Sequence, residues 1–329
     1  MSTTKMLKIA AKVGAAVIKD ALVVPKMKIV DYEKTSSHDG SNFKTWVIAV
    51  QDSKLYIAIK KGRVRKSHLD STDPSTWTAT ELYLAPYQIN LGNLYPVAKS
   101  SYHRYQQRQG EESGAVYIKH QEALQIAKDD GDIRGLQDDI IASITAREIN
   151  ICELIRANPH PNVAVYRGAI CDKELGFEYR SKPIRVRFDR ERVVSLVFKR
   201  YDCTLWDMVG NREKIDARCC LQGIAAGLSH FHRMGLAHCD IKPDNIFVDK
   251  SSGKQPLFVV GDFDSAQEFG ATYQLKAGAL DWSRNKRHGV DIVEADDDWF
   301  SFQILKQWLI RETGARERDV LGIGRMPAR

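Results

Sequence analysis

Two short segments carry polar residues whose types and spacing could do chemistry together. Asp240, Lys242 and Asn245 lie in HCDIKPDNIFV (His238–Val248), and Asp262 lies in LFVVGDFD (Leu257–Asp264). Packing rarely explains three side chains of such different chemistry around one proline, so a bound or reacting group is expected there. The apolar runs Ile246–Val248 and Leu257–Val260 flank a polar turn, DKSSGKQP, which predicts a hairpin that brings Asp262 back beside Asn245. One carboxylate and one amide oxygen side by side suit a hard divalent cation. Magnesium held in this way normally accompanies a nucleotide, because it keeps several waters and prefers phosphate oxygens as its other ligands. Asp240 is then placed to accept or orient a hydroxyl proton, and Lys242 puts positive charge where a transferred phosphoryl group gathers negative charge.

These residues resemble the protein kinase superfamily. His238-Cys239-Asp240-Ile241-Lys242-Pro243-Asp244-Asn245 looks like its catalytic loop, and Asp262-Phe263-Asp264 looks like its metal-binding triplet. The resemblance implies ATP and Mg2+ as cofactors, with Asp240 and Lys242 catalytic and Asn245 and Asp262 on the metal. It also implies partners upstream. VYIK ends in Lys119, similar to the strand lysine that grips the α- and β-phosphates. AREINICELI offers Glu148 as its ion-pair partner, with Glu153 as the substitute, ahead of a PHPN turn. LVFKRYDCTL resembles the hinge, with Phe198 behind the adenine and backbone groups of Lys199 to Tyr201 bonding the base. LKAGALDWS is similar to the end of the activation segment, and DDDWFSFQILKQWL to the helix that anchors the large lobe. There Asp298 either bonds the catalytic-loop backbone or serves as a helix-start carboxylate alongside Asp296 and Asp297. The resemblance covers roughly Ala115 to Trp308 and is nearest to the fungal serine/threonine protein kinase-like group.

Several departures bear on activity. No GxGxxG precedes Lys119; Gly92 and Gly114 do not form one, and GIG at Gly322–Gly324 lies in the wrong place. Cys239 stands where many kinases carry an arginine that receives an activation-loop phosphate, so phosphorylation of Thr272 or Tyr273 is not expected to be required. Asp264 replaces the glycine of the triplet, removing a freely positive φ and adding negative charge near the metal. No APE triplet follows Trp282, and the large lobe is expected to be a minimal one.

The elements that must position these residues follow from periodicity. TWVIAV and KLYIAIK read as two strands around QDSK, and LYLAPYQI, AVYIKH, VAVYRGAI and VVSLVFKRY as further strands. From Ile133 to Ala157 the period becomes helical, with Leu136, Ile140, Ile144 and Ile151 on one face, until the prolines of PHPN end it. A second helix carries Leu221, Ile224, Ala225, Leu228 and Phe231 and stops near Gly235. The expected fold is α+β and bilobal, with a strand-rich N-lobe and a minimal helical C-lobe. Residues 1–94 would form an N-terminal extension, either adding strands to the small lobe or making a separate cap. Residues 95–201 would form the small lobe and hinge, and 202–329 the truncated large lobe.

Composition narrows the alternatives. At 43% hydrophobic and 28% charged residues the chain reads as globular and neither fibrous nor disordered. Its net charge of +7 is scattered over short clusters such as KKGRVRK and RSKPIRVRFDRER. In the second, Ile184, Val186 and Phe188 alternate with Arg185 and Arg187, the pattern of a half-buried strand and not of a nucleic-acid patch. The six cysteines form no CxxC pair and read as free thiols. The N-terminal stretch reads as a short amphipathic helix, and no apolar run is long enough for a membrane span, so cytosol or nucleus and no membrane partner are expected. The expected function is an ATP-dependent protein kinase acting on Ser/Thr of a protein substrate, as a monomer. The alternatives are a pseudokinase or nucleotide-binding scaffold, supported by the missing glycine loop, and a small-molecule kinase.

Overall fold

The computed structural model describes residues 27–36, 43–52, 54–69, 72–107, 114–120, 140–179, 182–251, 253, 255–273, 281–284, 286–287 and 289–324. The N-terminal amphipathic helix, the first seven residues of the helix expected from Ile133, and most of LKAGALDWS lie outside them. The described residues fall into two compact units. The first takes those up to Leu91 together with Glu174–Phe188, and the second takes Gly92 to Lys173 and Asp189 onward.

In the first unit β1 (Lys28–Ser36), β2 (Phe43–Gln51), β3 (Lys54–Lys61) and β4 (Leu82–Gln88) form an antiparallel meander in the order β1-β2-β3-β4. The run WVIAV in β2 is buried throughout, as expected of a central strand covered on both faces. Val47 and Ala58 meet Ile29, Val64, Leu69, Trp77 and Leu82 in a core of their own. These four strands pair only with one another among the described residues.

A three-stranded sheet in the order β5-β7-β6 is formed by β5 (Val116–His120), β6 (Tyr166–Tyr179) and β7 (Lys182–Lys199); its Glu174–Phe188 portion belongs to the first unit and the rest to the second. Within β7 the basic cluster has the expected alternation: Val186 is buried, while Arg185 and Arg187 point outward and both pair with Glu174, at 3.0 and 2.9 Å. Helix α1 (Ile140–Ala157) ends where Asn158 N–H bonds Leu154 O, just before Pro159. Its buried positions include Ile141, Thr145, Glu148, Ile149, Ile151, Cys152 and Ile155. Ile151 is buried as expected and Ile144 is half-buried, while a carboxylate and a hydroxyl, Glu148 and Thr145, occupy two further core-facing positions that an apolar pattern cannot mark.

Next come the two-residue β8 (Cys203–Thr204), α2 (Leu205–Gly210), α3 (Ala217–Arg233) and β9 (Leu236–Ala237). The hairpin β10 (Ile246–Asp249) and β11 (Leu257–Val260) joins β8 in the order β11-β10-β8, and β12 (Gln267–Glu268) pairs with β9. The Asp216 carboxylate caps α3 by accepting Cys219 N–H, and Gly235 at φ +76° ends it as expected. Leu221, Ile224, Leu228 and Phe231 are fully buried. Helix α4 (Ala295–Thr313) starts with a Glu294/Asp297 capping box and ends at Gly314, φ +68°. Trp299, Phe302, Leu305 and Leu309 of α4 pack with α2, α3 and the β10–β11 hairpin. Gly322–Gly324 folds back on this helix, with Gly324 O accepting from Gln303 Nε2 at 2.8 Å.

Candidate active site

The β10–β11 hairpin sets Asn245 and Asp262 at the same end, as its turn predicts. Ile246 pairs with Val260, and Gly261 N–H donates to Asn245 O at 3.0 Å. Asn245 and Asp262 both line a cavity of ≈ 500 Å³ with Lys119, Glu148, Phe198, Lys199 and Tyr201. The Asn245 amide is oriented by its donor end: Nδ2 bonds Asp240 O at 2.8 Å and Asp240 Oδ2 at 2.9 Å. That leaves Oδ1 as the outward acceptor, the atom a hard cation would take. Asp262 places Oδ1 2.6 Å from Lys119 Nζ and keeps a second oxygen for a metal. One carboxylate and one amide oxygen fit Mg2+, which uses few protein ligands, and among the described residues no group of three or more His, Cys, Asp or Glu is arranged for a more fully caged ion.

Asp240 is 5% exposed and also receives Lys242 Nζ at 2.7 Å. Burial opposes the Lys242 charge, but the hydrogen bond and the nearby Asp240 carboxylate outweigh it and raise its pKa. The loop that presents these residues is strained at Cys239, φ +64°, an unfavourable region for a side chain with a Cβ. Asp298 secures the bend. Its carboxylate is completely buried and accepts the amides of His238 and Cys239, both at 2.8 Å, and His232 Nε2 at 2.8 Å. Of its two expected roles Asp298 takes the loop-bonding one, and Asp297 takes the helix-start one by accepting Glu294 N–H. His238 Nε2 meets Gly261 O at 2.9 Å and its ring packs against Phe231 and Phe263, tying the loop to the Asp262 segment.

Lys119 on β5 reaches Glu148 on α1 at 2.8 Å. The substitute, Glu153, is engaged elsewhere, accepting His103 N–H and Arg156 Nε. Burial alone would disfavour the ammonium, yet Glu148, Asp262 and Asp264 together push its pKa well above the ordinary lysine value. Glu148 is 1% exposed; burial and the two aspartates raise its pKa to about 7 against the opposing pull of Lys119. Asp264 is the participant that sequence reasoning did not place. Its Oδ2 lies 3.2 Å from Lys119 Nζ, and its carbonyl accepts Arg147 Nη2 at 3.0 Å. The positive φ of this segment falls on Asp262, +62°, and not on Asp264, so the lost glycine creates no strain at its own position. The acidic residue in place of glycine was the legible signal; its reach to Lys119 was not.

Phe198 is 7% exposed, lines the cavity and packs against Tyr166 and Phe263. The hinge differs from the simple expectation, because two of its amides have protein partners. Lys199 N–H donates to Val165 O at 2.9 Å and Arg200 N–H to Ala115 O at 3.0 Å. Among the described residues the Tyr201 amide is the one of the three that makes no such bond. The Lys199 side chain turns to Asp249.

Comparison with known proteins bears on the family. Residues 116–304 match the model of the protein kinase domain. The serine/threonine-protein kinase Pink1, mitochondrial, of Tribolium castaneum is 28% identical over 115 residues, 32% of this chain and 20% of that protein. The MAPK/MAK/MRK overlapping kinase of Mus musculus is 26% identical over 35% of this chain and 23% of that protein. The chain thus spans about a fifth of the length of these relatives. A solved structure, that of the yeast RNA Pol II CTD kinase CTDK-1 complex, aligns with a TM-score of 0.39 and 17% identity over 68% of this chain and 67% of that one. With a family model matched over more than half of its residues, in the segment that holds Lys119, Glu148, Asp240, Asn245 and Asp262, the chain belongs to the protein kinase domain family.

Proposed function

We propose that the chain binds Mg–ATP in the cavity of Lys119, Phe198, Tyr201, Asn245 and Asp262 and transfers its γ-phosphoryl group to Ser/Thr hydroxyls of a protein substrate. The observation that carries this reading is the convergence of Lys119–Glu148, Asn245 and Asp262 on one cavity, with Asp240 bonded directly to Asn245. When bound, Mg2+ would neutralise phosphate charge and hold the phosphates in line. Tyr201 supplies the unpaired hinge amide for the base, and Lys119 a buried positive charge for the phosphates. Asp240, fixed by Lys242 and Asn245, takes up or orients the acceptor's hydroxyl proton, while Lys242 balances charge on the group in transit. The same proposal takes residues 1–94 as an extension, 95–201 as small lobe and hinge, and 202–329 as the large lobe. The motifs VYIK, PHPN and DFDS support membership of the fungal serine/threonine protein kinase-like group.

A nucleotide-binding scaffold is the second reading. It draws on β5, which among the described residues has a strand on one edge only, so no paired glycine-loop strand covers the phosphate position. Transfer from γ-labelled ATP with Mg2+, to the protein itself and to mixed protein acceptors, separates the two. Label incorporated by the native chain and lost in Asp240→Asn supports the kinase; nucleotide binding with no label in either supports the scaffold.

A further inference from the structure

An ammonium has three N–H donors. Lys119 already directs Nζ at three protein carboxylates: Asp262 at 2.6 Å, Glu148 at 2.8 Å and Asp264 at 3.2 Å. A nucleotide phosphate can therefore be gripped only if one of them yields. Glu148 is almost wholly buried on α1, and withdrawing Lys119 from it would strand a carboxylate away from water. Asp262 holds the better claim on a cation. Asp264 makes the longest of the three contacts, which marks it as the group to be displaced.

Nothing else in the segment lets Asp264 drift away of its own accord. Its side chain is 10% exposed, Oδ1 accepts Ser265 Oγ at 3.2 Å, and its carbonyl is tied to Arg147 on α1. The carboxylate is thus held inside the site, where it places one more negative charge at the position a phosphate would occupy.

We propose that Asp264 is a specificity-determining residue: it stands in for nucleotide phosphate on Lys119, so that metal-free nucleotide is rejected and nucleotide is accepted only together with a divalent cation. This rests on the reading of the cavity as a nucleotide site. Free ATP approaching Lys119 meets the like charges of Asp262 and Asp264 at short range in a partly dry pocket, where such repulsion is strong. A cation taken by Asp262 and Asn245 offsets those charges, and Lys119 then exchanges only its weakest contact for a phosphate oxygen.

The test is calorimetric binding of ATP to the full chain, once in EDTA and once in Mg2+, for the native protein, Asp264→Asn and Asp264→Gly, with melting temperature confirming that each is folded. The native chain should bind only with Mg2+. Both variants should gain at least about tenfold in affinity in EDTA and about two- to threefold in Mg2+, since a charge a few ångströms away acts less when a cation screens it. Equal affinities of native and variant proteins in EDTA, with binding intact in Mg2+, would overturn the role of Asp264 alone. Absence of binding by all three forms in Mg2+ would overturn the nucleotide reading along with it.

Discussion

Asp298 holds the amide of Cys239 at 2.8 Å at the one point in the catalytic-type loop where the backbone turns through a positive φ. With the His238 amide and His232 Nε2 also on this carboxylate, a single buried side chain fixes the direction in which Asp240 leaves the loop. Replacing Asp298 by Ala leaves two buried amides without acceptors. It should lower stability by about 3 kcal/mol or more and abolish phosphotransfer. Urea denaturation, followed with the transfer assay on whatever protein remains folded, checks both effects; a stable and active Asp298→Ala protein would exclude this role.

Glu148 gives a pH dependence whose sign is fixed by its environment. Burial raises its pKa from 4.5 to about 7, so the folded chain holds this proton more tightly than the unfolded one. The stability linked to it is fully present below pH 4.5 and is lost as pH rises through about 7. Glu148→Gln removes that linkage. Between pH 4.5 and 8 the stability of the native chain relative to this variant should fall by at most ~3 kcal/mol, measured by denaturant midpoints across the range. A constant difference would show that Glu148 titrates normally.

Gly227 on α3 faces the backbone directly. A Cβ there would lie 2.5 Å from Asn162 O and 3.0 Å from Val260 Cγ2. Asn162 O is the acceptor of Val260 N–H at 2.9 Å, so a side chain pushes on the strand that leads to Asp262. Gly227→Ala is expected to cost about 1–3 kcal/mol and to weaken Mg–ATP binding along with stability. Thermal melts and nucleotide titration on the same preparation would detect a variant that escapes both.

Phosphorylation near Thr272 and Tyr273 is expected to be dispensable. Tyr273 is 2% exposed and packs with Ala237, Cys239 and Val293, and burial raises the Cys239 thiol pKa above its ordinary value. The residue beside Asp240 is thus a buried thiol packed in an apolar cluster, not itself a cation that would receive a phosphate. Thr272→Ala should retain transfer activity within about twofold, and phosphatase treatment should not reduce it. A large loss on dephosphorylation would refute this.

The sequence by itself marked the two-strand return from Asn245 to Asp262, because two short apolar runs on either side of a polar turn are local signals of a hairpin. It also marked α3 through its periodicity and Asp240, Lys242 and Asn245 through their spacing, while α4 and Lys119 followed from the resemblance to the protein kinase superfamily. On α1 the apolar pattern marked Ile151 but not Thr145, whose hydroxyl is satisfied by Ile141 O one turn back in the same helix, while Glu148 is held inward by Lys119 on β5. The choice between Asp297 and Asp298 could not be made from three consecutive aspartates, because only packing decides which one points at the loop amides. The hinge amides of Lys199 and Arg200 were likewise committed by Val165 and Ala115, residues remote in sequence. Asp264 on Lys119 belongs to the same class, since residues 145 positions apart meet only when β5, α1 and the Asp262 segment are brought together around one charge.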